Sequence, residues 1–244
     1  KTLNIALAGT GVGKSLFMCH VAASYLLQGL NVLYITLEMA EERIAERIDA
    51  NLLDVTMEDL HDMPQSLYDG KIKKLREKTQ GRLIIKEYPT ASAHSGHFKS
   101  LINELALKKS FKPDVIFIDY LNICSSARFK GGNISSYFYI KAIAEELRGL
   151  AVEANVPIFS GLPATADFMF ALMSNEELEK LGQMKVKQLK NRYNDPSVNR
   201  AFIVGVDRSK MRLYDVQQSS QNIVDANQVE PKEDAYNKFS DFKL

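Results

Sequence analysis

Apolar residues along the chain fall into short continuous runs, and between those runs into stretches with helical spacing. Leu3–Leu7, Asn31–Leu37, Leu83–Tyr88, Val115–Tyr120 and Pro157–Ser160 read as strands. The unbroken Val115-Ile116-Phe117-Ile118 predicts burial on both faces, as in a central parallel strand. Helical spacing covers Leu16–Leu27, Ala40–Leu53 with apolar Ile44, Ile48 and Leu52, and Tyr139–Ala154 with Ile143, Leu147 and Leu150. Strands that alternate with helices predict an α/β fold with a doubly wound, mostly parallel sheet. Two late runs, Ala201–Val206 and Arg212–Val216, flank the polar Asp207-Arg208-Ser209-Lys210 and predict a C-terminal antiparallel hairpin. No repeat or low-complexity linker divides the chain, and from Gln217 it is polar with little periodicity. A folded unit over 1–216 and an irregular or mobile tail over 217–244 are therefore expected.

Composition narrows the class without naming a partner. With 45% hydrophobic and 25% charged residues in 244, disordered, collagen-like and membrane-spanning classes are poor fits, and a large two-sided core is possible. Lys and Arg total 31 against 30 acids, so the net charge of +1 gives no sign of nucleic acid, and any basic surface must be local. Cys19 and Cys124 lie far apart inside apolar segments, which predicts buried thiols in a reducing cytosol. His94-Ser95-Gly96-His97 has no cysteine or carboxylate cluster beside it, so a solvated loop is expected there, not a metal site. No run approaches the roughly 20 apolar residues that span a bilayer, and no signal peptide precedes the first strand, so a soluble protein is expected.

The chemistry begins immediately after the first strand. Ala8-Gly9-Thr10-Gly11-Val12-Gly13-Lys14-Ser15 stands between that strand and a helix, the context a phosphate-binding loop requires. Its glycines let successive N–H groups point at one anion, and the helix N-terminus adds its positive dipole end. Lys14 would reach the β- and γ-phosphates of a nucleotide, and Ser15 would ligate Mg²⁺. Glu38 closes the second strand and Asp119 the central one. In open parallel sheets the ligand crevice lies at such strand ends. Asp119 is expected to hold Mg²⁺; for Glu38 a general base that activates water and a solvated surface acid are both open.

Basic charge collects late, with eight Lys or Arg against two acids between Lys185 and Arg212. Lys187–Arg192 alternates like a strand, so Lys190 and Arg192 are expected on one face, as a phosphate clamp or as a solvated face. The loop Ser125–Asn133 carries Arg128 and Lys130 around Phe129, a candidate contact for nucleic acid or an ordinary loop. Lys71, Lys73, Lys74, Arg76 and Lys78 read as the solvated face of a helix.

These segments together resemble the RecA-like replicative DNA helicases of the DnaB type, most nearly those of T-even-like phages. The likeness runs from the phosphate loop through Tyr34-Ile35-Thr36-Leu37-Glu38-Met39 and Ile118-Asp119-Tyr120-Leu121 to Gln188-Leu189-Lys190-Asn191-Arg192, and includes Ala142–Ala151 and Gly161–Asp167. Leu37-Glu38-Met39 is more diagnostic than the phosphate loop alone. The resemblance implies a RecA-like P-loop NTPase core that binds ATP or another NTP with Mg²⁺. Gly9, Thr10, Gly11, Val12, Gly13, Lys14 and Ser15 would hold phosphate, Ser15 and Asp119 the metal, and Glu38 would be the base. Lys190 and Arg192 fall on the family's Lys-x-Arg motif, which acts in trans on NTP held by the neighbouring subunit. The resemblance further implies a homohexamer that moves 5′ to 3′ on single-stranded DNA, with a primase and a helicase loader as partners, in the host cytoplasm if phage-encoded.

The likeness breaks at Ser160–Gly161. There the family carries a polar γ-phosphate sensor and a loop that reaches into the channel, and these residues join directly. The family's N-terminal domain and linker helix have no counterpart here either, so a motor domain lacking one channel loop is expected. Two other readings stay open: a RecA- or KaiC-like ATPase that does not unwind DNA, and a nucleotide-gated loader or binding module.

Overall fold

The computed structural model describes residues 1–129, 134–161, 166–195 and 197–217. Lys130, half of the basic pair in the loop after the central strand, and the tail from residue 218 onward lie outside them.

Nine strands form one sheet: β1 Leu3–Ala8, β2 Val32–Thr36, β3 Leu83–Glu87, β4 Val115–Asp119, β5 Ile158–Gly161, β6 Phe168–Met173, β7 Gln183–Asn191, β8 Ala201–Asp207 and β9 Arg212–Asp215. Their order is β3-β2-β4-β5-β1-β6-β7-β8-β9. The first six are mutually parallel and the last three continue antiparallel. The expected hairpin of β8 and β9 is thus the edge of a longer antiparallel extension through β7.

The helices are α1 Lys14–Leu27, α2 Glu41–Leu53, α3 Met57–His61, α4 Gln65–Lys78, α5 Ser95–Lys109, α6 Ser136–Ala154 and α7 Glu176–Lys180. The lysine-rich cluster falls on α4, which buries no residue, as a solvated face should.

Strand alternation divides the parallel half into two cores, because successive side chains leave opposite faces. Val32, Tyr34, Val115 and Phe117 pack with α1 and α2 through Met18, Cys19, Ala22, Ile44 and Ile48. Leu33, Ile35, Ile116 and Ile118 pack on the other face with Phe98 of α5 and Ile143, Leu147 and Leu150 of α6. Rings from three adjacent strands stack in the first core: Tyr34 on Phe117 at 5.6 Å and Phe117 on Phe159 at 5.3 Å between centroids. A third cluster, of Leu16, Phe170, Leu172, Met184, Val186, Met211 and Leu213, covers the antiparallel extension. Both cysteines are buried, and burial pushes each thiol up to about 12, so neither is a ready nucleophile.

His94 and His97 are not a loose loop. The His94 ring accepts the Gly96 N–H and the His97 ring accepts the His94 N–H, together capping α5. Among the described residues no group of three or more His, Cys, Asp or Glu stands close enough to hold a metal by itself. No described helix is long and apolar enough to cross a membrane.

His20 on α1 joins the phosphate-loop helix to the late hairpin. Its Nδ1 lies 3.0 Å from the Asn51 amide and accepts the Leu213 N–H at 3.4 Å, while the same Asn51 amide donates to the Met211 carbonyl. Burial, and then the Arg212 charge, lower the His20 pKa below its ordinary 6.5. Below that value the unfolded chain takes up a proton that the folded chain resists, so stability falls as pH falls. In urea titrations on either side of pH 6.5, His20→Gln is expected to lose less stability on acidification than the native chain. An equal loss in both would remove His20 as the titrating group.

Candidate active site

The loop between β1 and α1 adopts the conformation its glycines permit. Gly11 and Gly13 have φ of 78° and 124°, a region that side-chain-bearing residues rarely occupy. Gly13 caps α1 without a side-chain hydrogen bond, and the first turn of α1 carries no acid, so its leading N–H groups face outward uncompensated. An open cleft of about 430 Å³ lies against them, within the range of roughly 300–1,000 Å³ typical of small-molecule sites. Gly9, Thr10, Gly11, Gly13, Lys14 and Ser15 line it; the Val12 side chain turns away into the third cluster.

Glu38 lines the same cleft from the end of β2 and is exposed. The turn that presents it is stapled by Thr36, whose hydroxyl donates to the Met39 carbonyl at 2.7 Å and accepts the Met39 N–H at 3.1 Å. The Leu37 N–H donates to the Asp119 carbonyl at 2.9 Å, which ties this turn to the end of β4.

Asp119 lies beneath the cleft, fully buried. Its Oδ2 accepts the Tyr34 hydroxyl at 3.2 Å. Its Oδ1 accepts no hydrogen bond from a described residue; Lys14 Nζ stands 3.4 Å away, at ion-pair distance only. Lys14 also lies 3.4 Å above the Tyr120 ring, and a Cβ on Gly161 would come within 2.7 Å of its Cδ. Lys14 is therefore folded down onto Asp119, alongside Gly161, where a side chain would make it move. A buried carboxylate oxygen lacking a donor fits a divalent cation bound through one carboxylate, a hydroxyl such as that of Ser15, and nucleotide phosphates.

Three polar side chains in the cleft escape the sequence pattern. Arg47 comes from within α2 and Tyr120 from the residue after Asp119. Arg208 comes from the β8–β9 turn, where its guanidinium donates to the Gly11 and Val12 carbonyls, each at 3.3 Å. Arg208 belongs to the late basic run, but that run is not one surface. Lys210 and Arg212 pair with Asp54 near the hairpin tip, whereas Lys190 and Arg192 lie elsewhere.

Lys190 and Arg192 stand at the opposite end of the sheet from the phosphate loop. Ala8, where the loop begins, is level with Leu172 and hence with Val186, while Asn191 is level with Phe168 and Asn4. Arg192 is six residues past Val186, roughly 20 Å along an extended strand, and cannot reach its own chain's cleft. β7 ends at Asn191, one residue before Arg192, whose Nη1 lies 3.2 Å from Asp167 Oδ1, and the β6–β7 register shift falls at Leu189, ahead of Lys190. Lys190 is half-buried and forms no ion pair with a described residue.

Arg128 is also outside the cleft, paired with Glu145 at 2.7 Å. Glu146 anchors its loop by accepting the Ser126 hydroxyl at 2.7 Å and the Ala127 and Arg128 N–H groups at 3.0 and 3.4 Å. Burial would push the Glu146 carboxyl up, but hydrogen bonds from Ala127, Ser126, Ser95 and Arg128 outweigh it and hold the pKa below the usual value.

Comparison with known proteins places this arrangement. A DnaB-like replicative helicase of Enterobacteria phage T4 is 46% identical over 245 aligned positions, covering 90% of this chain and 52% of that protein. An alignment of 245 positions that takes in only 90% of a 244-residue chain includes positions this chain lacks. A probable plasmid replicative DNA helicase of Chlamydia trachomatis is 32% identical over 157 residues, covering 63% of this chain and 33% of that protein. The chain thus spans about half, or less, of the length of these curated relatives. A solved DnaB-like replicative helicase, described with its interactions with primase, superposes with a TM-score of 0.68 at 16% identity, over 88% of this chain and 57% of that one. A solved ATPase domain superposes with a TM-score of 0.70 at 15% identity, over 88% and 85%. At such identities the superpositions speak for the fold, a RecA-like α/β core with the antiparallel extension. The model of the family described as DnaB-like helicase C terminal domain matches residues 1–161, and the chain belongs to that family.

Proposed function

We propose that residues 1–216 are the NTP-hydrolysing motor of a hexameric replicative DNA helicase, moving 5′ to 3′ on single-stranded DNA to unwind duplex at a replication fork. The observation that carries this reading is the split between the phosphate cleft and a remote Lys190/Arg192 end. Arg192 cannot reach the nucleotide of its own chain, whereas a ring of copies can bring one chain's Arg192 to the next chain's cleft.

Within one cleft, the N–H groups at the start of α1 receive the phosphates, and Lys14 moves off Asp119 to the β- and γ-oxygens. Mg²⁺, held by Ser15 and Asp119, would supply charge neutralisation on those oxygens. Glu38 orients the attacking water and takes its proton. Arg192 from a neighbouring copy, supported by Lys190, meets the charge that builds on the transferring phosphate, a task suited to a planar guanidinium. Arg128 and Lys130 are the proposed single-stranded DNA contacts on this chain. Primase and a helicase loader are the proposed protein partners, and the host cytoplasm the proposed location.

The test is strand displacement on a forked duplex by the full-length protein with NTP and Mg²⁺, run beside its mass with and without nucleotide and single-stranded DNA. Displacement by a six-subunit species, lost in Lys14→Ala, is expected. Hydrolysis without displacement would instead assign a RecA- or KaiC-like ATPase, and binding without hydrolysis a nucleotide-gated module.

A further inference from the structure

One buried carboxylate outside the cleft gathers two arginines from different elements. Asp167 immediately precedes β6, and its side chain is 1% exposed. Its Oδ2 accepts the Leu3 N–H at 3.1 Å, which fixes the carboxylate to the start of β1. Arg148 of α6 approaches both oxygens through Nε, at 3.0 and 3.2 Å. Arg192 reaches Oδ1 through Nη1 at 3.2 Å, and its own N–H donates to the Asp167 carbonyl at 3.1 Å. The Arg148 and Arg192 side chains are 40% and 46% exposed, so two cations straddle the boundary between core and solvent around a single buried anion.

The asymmetry of this triad has a consequence for Arg192. A buried carboxylate stripped of its only cation is strongly disfavoured, so a lone Asp–Arg pair would hold its arginine fast. Here the Leu3 N–H and Arg148 remain on Asp167 if the Arg192 guanidinium swings away. Arg192 also spends one terminal nitrogen on Asp167 and keeps its remaining donors for an anion outside the chain. An exposed arginine without an anchor would sample many rotamers and lose them all on meeting a phosphate.

We propose that Asp167 is a positioning residue for Arg192, preorienting its guanidinium toward a nucleotide held by a neighbouring copy, and that Arg148 keeps Asp167 compensated so that Arg192 can be delivered. This rests on the reading of Arg192 given under Proposed function.

The experiment uses the full-length protein with single-stranded DNA. Asp167→Asn keeps the shape and the acceptor for Leu3 but removes the charge. It is expected to lower kcat by about 10- to 100-fold, the cost of a misplaced catalytic group, with nucleotide KM, ring mass and melting temperature near native values. Millimolar guanidinium chloride is expected to restore part of the turnover lost in Arg192→Ala, because the Asp167 site then accepts the free cation, and to restore none in Arg192→Ala/Asp167→Asn. If Asp167→Asn does not fold, Arg148→Gln leaves the carboxylate with Arg192 as its one side-chain partner and is expected to slow kcat with KM unchanged. Native kcat in whichever of these variants folds, or equal rescue in both Arg192→Ala backgrounds, overturns the anchor. An inactive Arg192→Ala beside a fully active Asp167→Asn removes the anchor alone, whereas a fully active Arg192→Ala removes the reading beneath it as well.

Discussion

Arg192→Ala in the full-length protein is expected to lower DNA-stimulated turnover by roughly 10³- to 10⁵-fold, the range of a trans-acting arginine, with nucleotide affinity near native. The reason is positional. Arg192 lies past the end of β7, level with the start of β1, and the phosphate loop lies past the other end of that strand. Its loss leaves the cleft of its own chain intact. A mixing experiment makes the direction of action visible. Arg192→Ala subunits retain Lys14 and Glu38, and Lys14→Ala subunits retain Arg192. Each preparation alone is expected to be inactive, and rings assembled from both should recover part of the turnover, because some interfaces then join a whole cleft to a whole arginine. Normal hydrolysis by Arg192→Ala alone, or no recovery on mixing, would remove Arg192 from this role.

Glu38→Gln is expected to cut turnover by about 10²- to 10⁴-fold, the usual contribution of a positioned general base, while NTP still binds. Glutamine preserves volume and leaves untouched the Thr36 staple that holds the Leu37–Met39 turn, so the change is confined to the proton acceptor. Single-turnover hydrolysis and a nucleotide titration on the same preparation separate the two effects. Turnover within a few-fold of native would show that Glu38 is a surface acid at a strand end, and would strengthen the reading of a nucleotide-gated binding module.

Most of the parallel half is legible in the amino-acid sequence. Runs such as Val115–Ile118 have one physical use in a chain of this composition, and glycines ahead of Lys14-Ser15 have one use between a strand and a helix. The His94/His97 pair is less so: spacing argues against a metal but gives no hint of a helix cap, which depends on where the backbone N–H groups of α5 begin. β6 and β7 are hard to read for different reasons: Phe168–Met173 is an unbroken apolar run, which periodicity alone does not assign to strand or helix, whereas Gln183–Asn191 mixes apolar, lysine and amide residues. The late basic run misleads in a specific way. Counted along the chain it is one patch, but folding an antiparallel extension carries Arg208 to the phosphate loop and leaves Arg192 at the far end.

Periodicity, glycine spacing and strand-end acids are local properties, so the order of residues alone indicates most elements of the parallel half and which residues to propose for phosphate and Mg²⁺. Who stands beside whom is a property of the folded chain. Folding sets Arg47, Tyr120 and Arg208 in the cleft, lays Lys14 onto Asp119, and puts Arg148 and Arg192 on one buried Asp167. Most of those contacts join residues far apart in the chain, and their geometry follows from strand order and register, which no local pattern encodes.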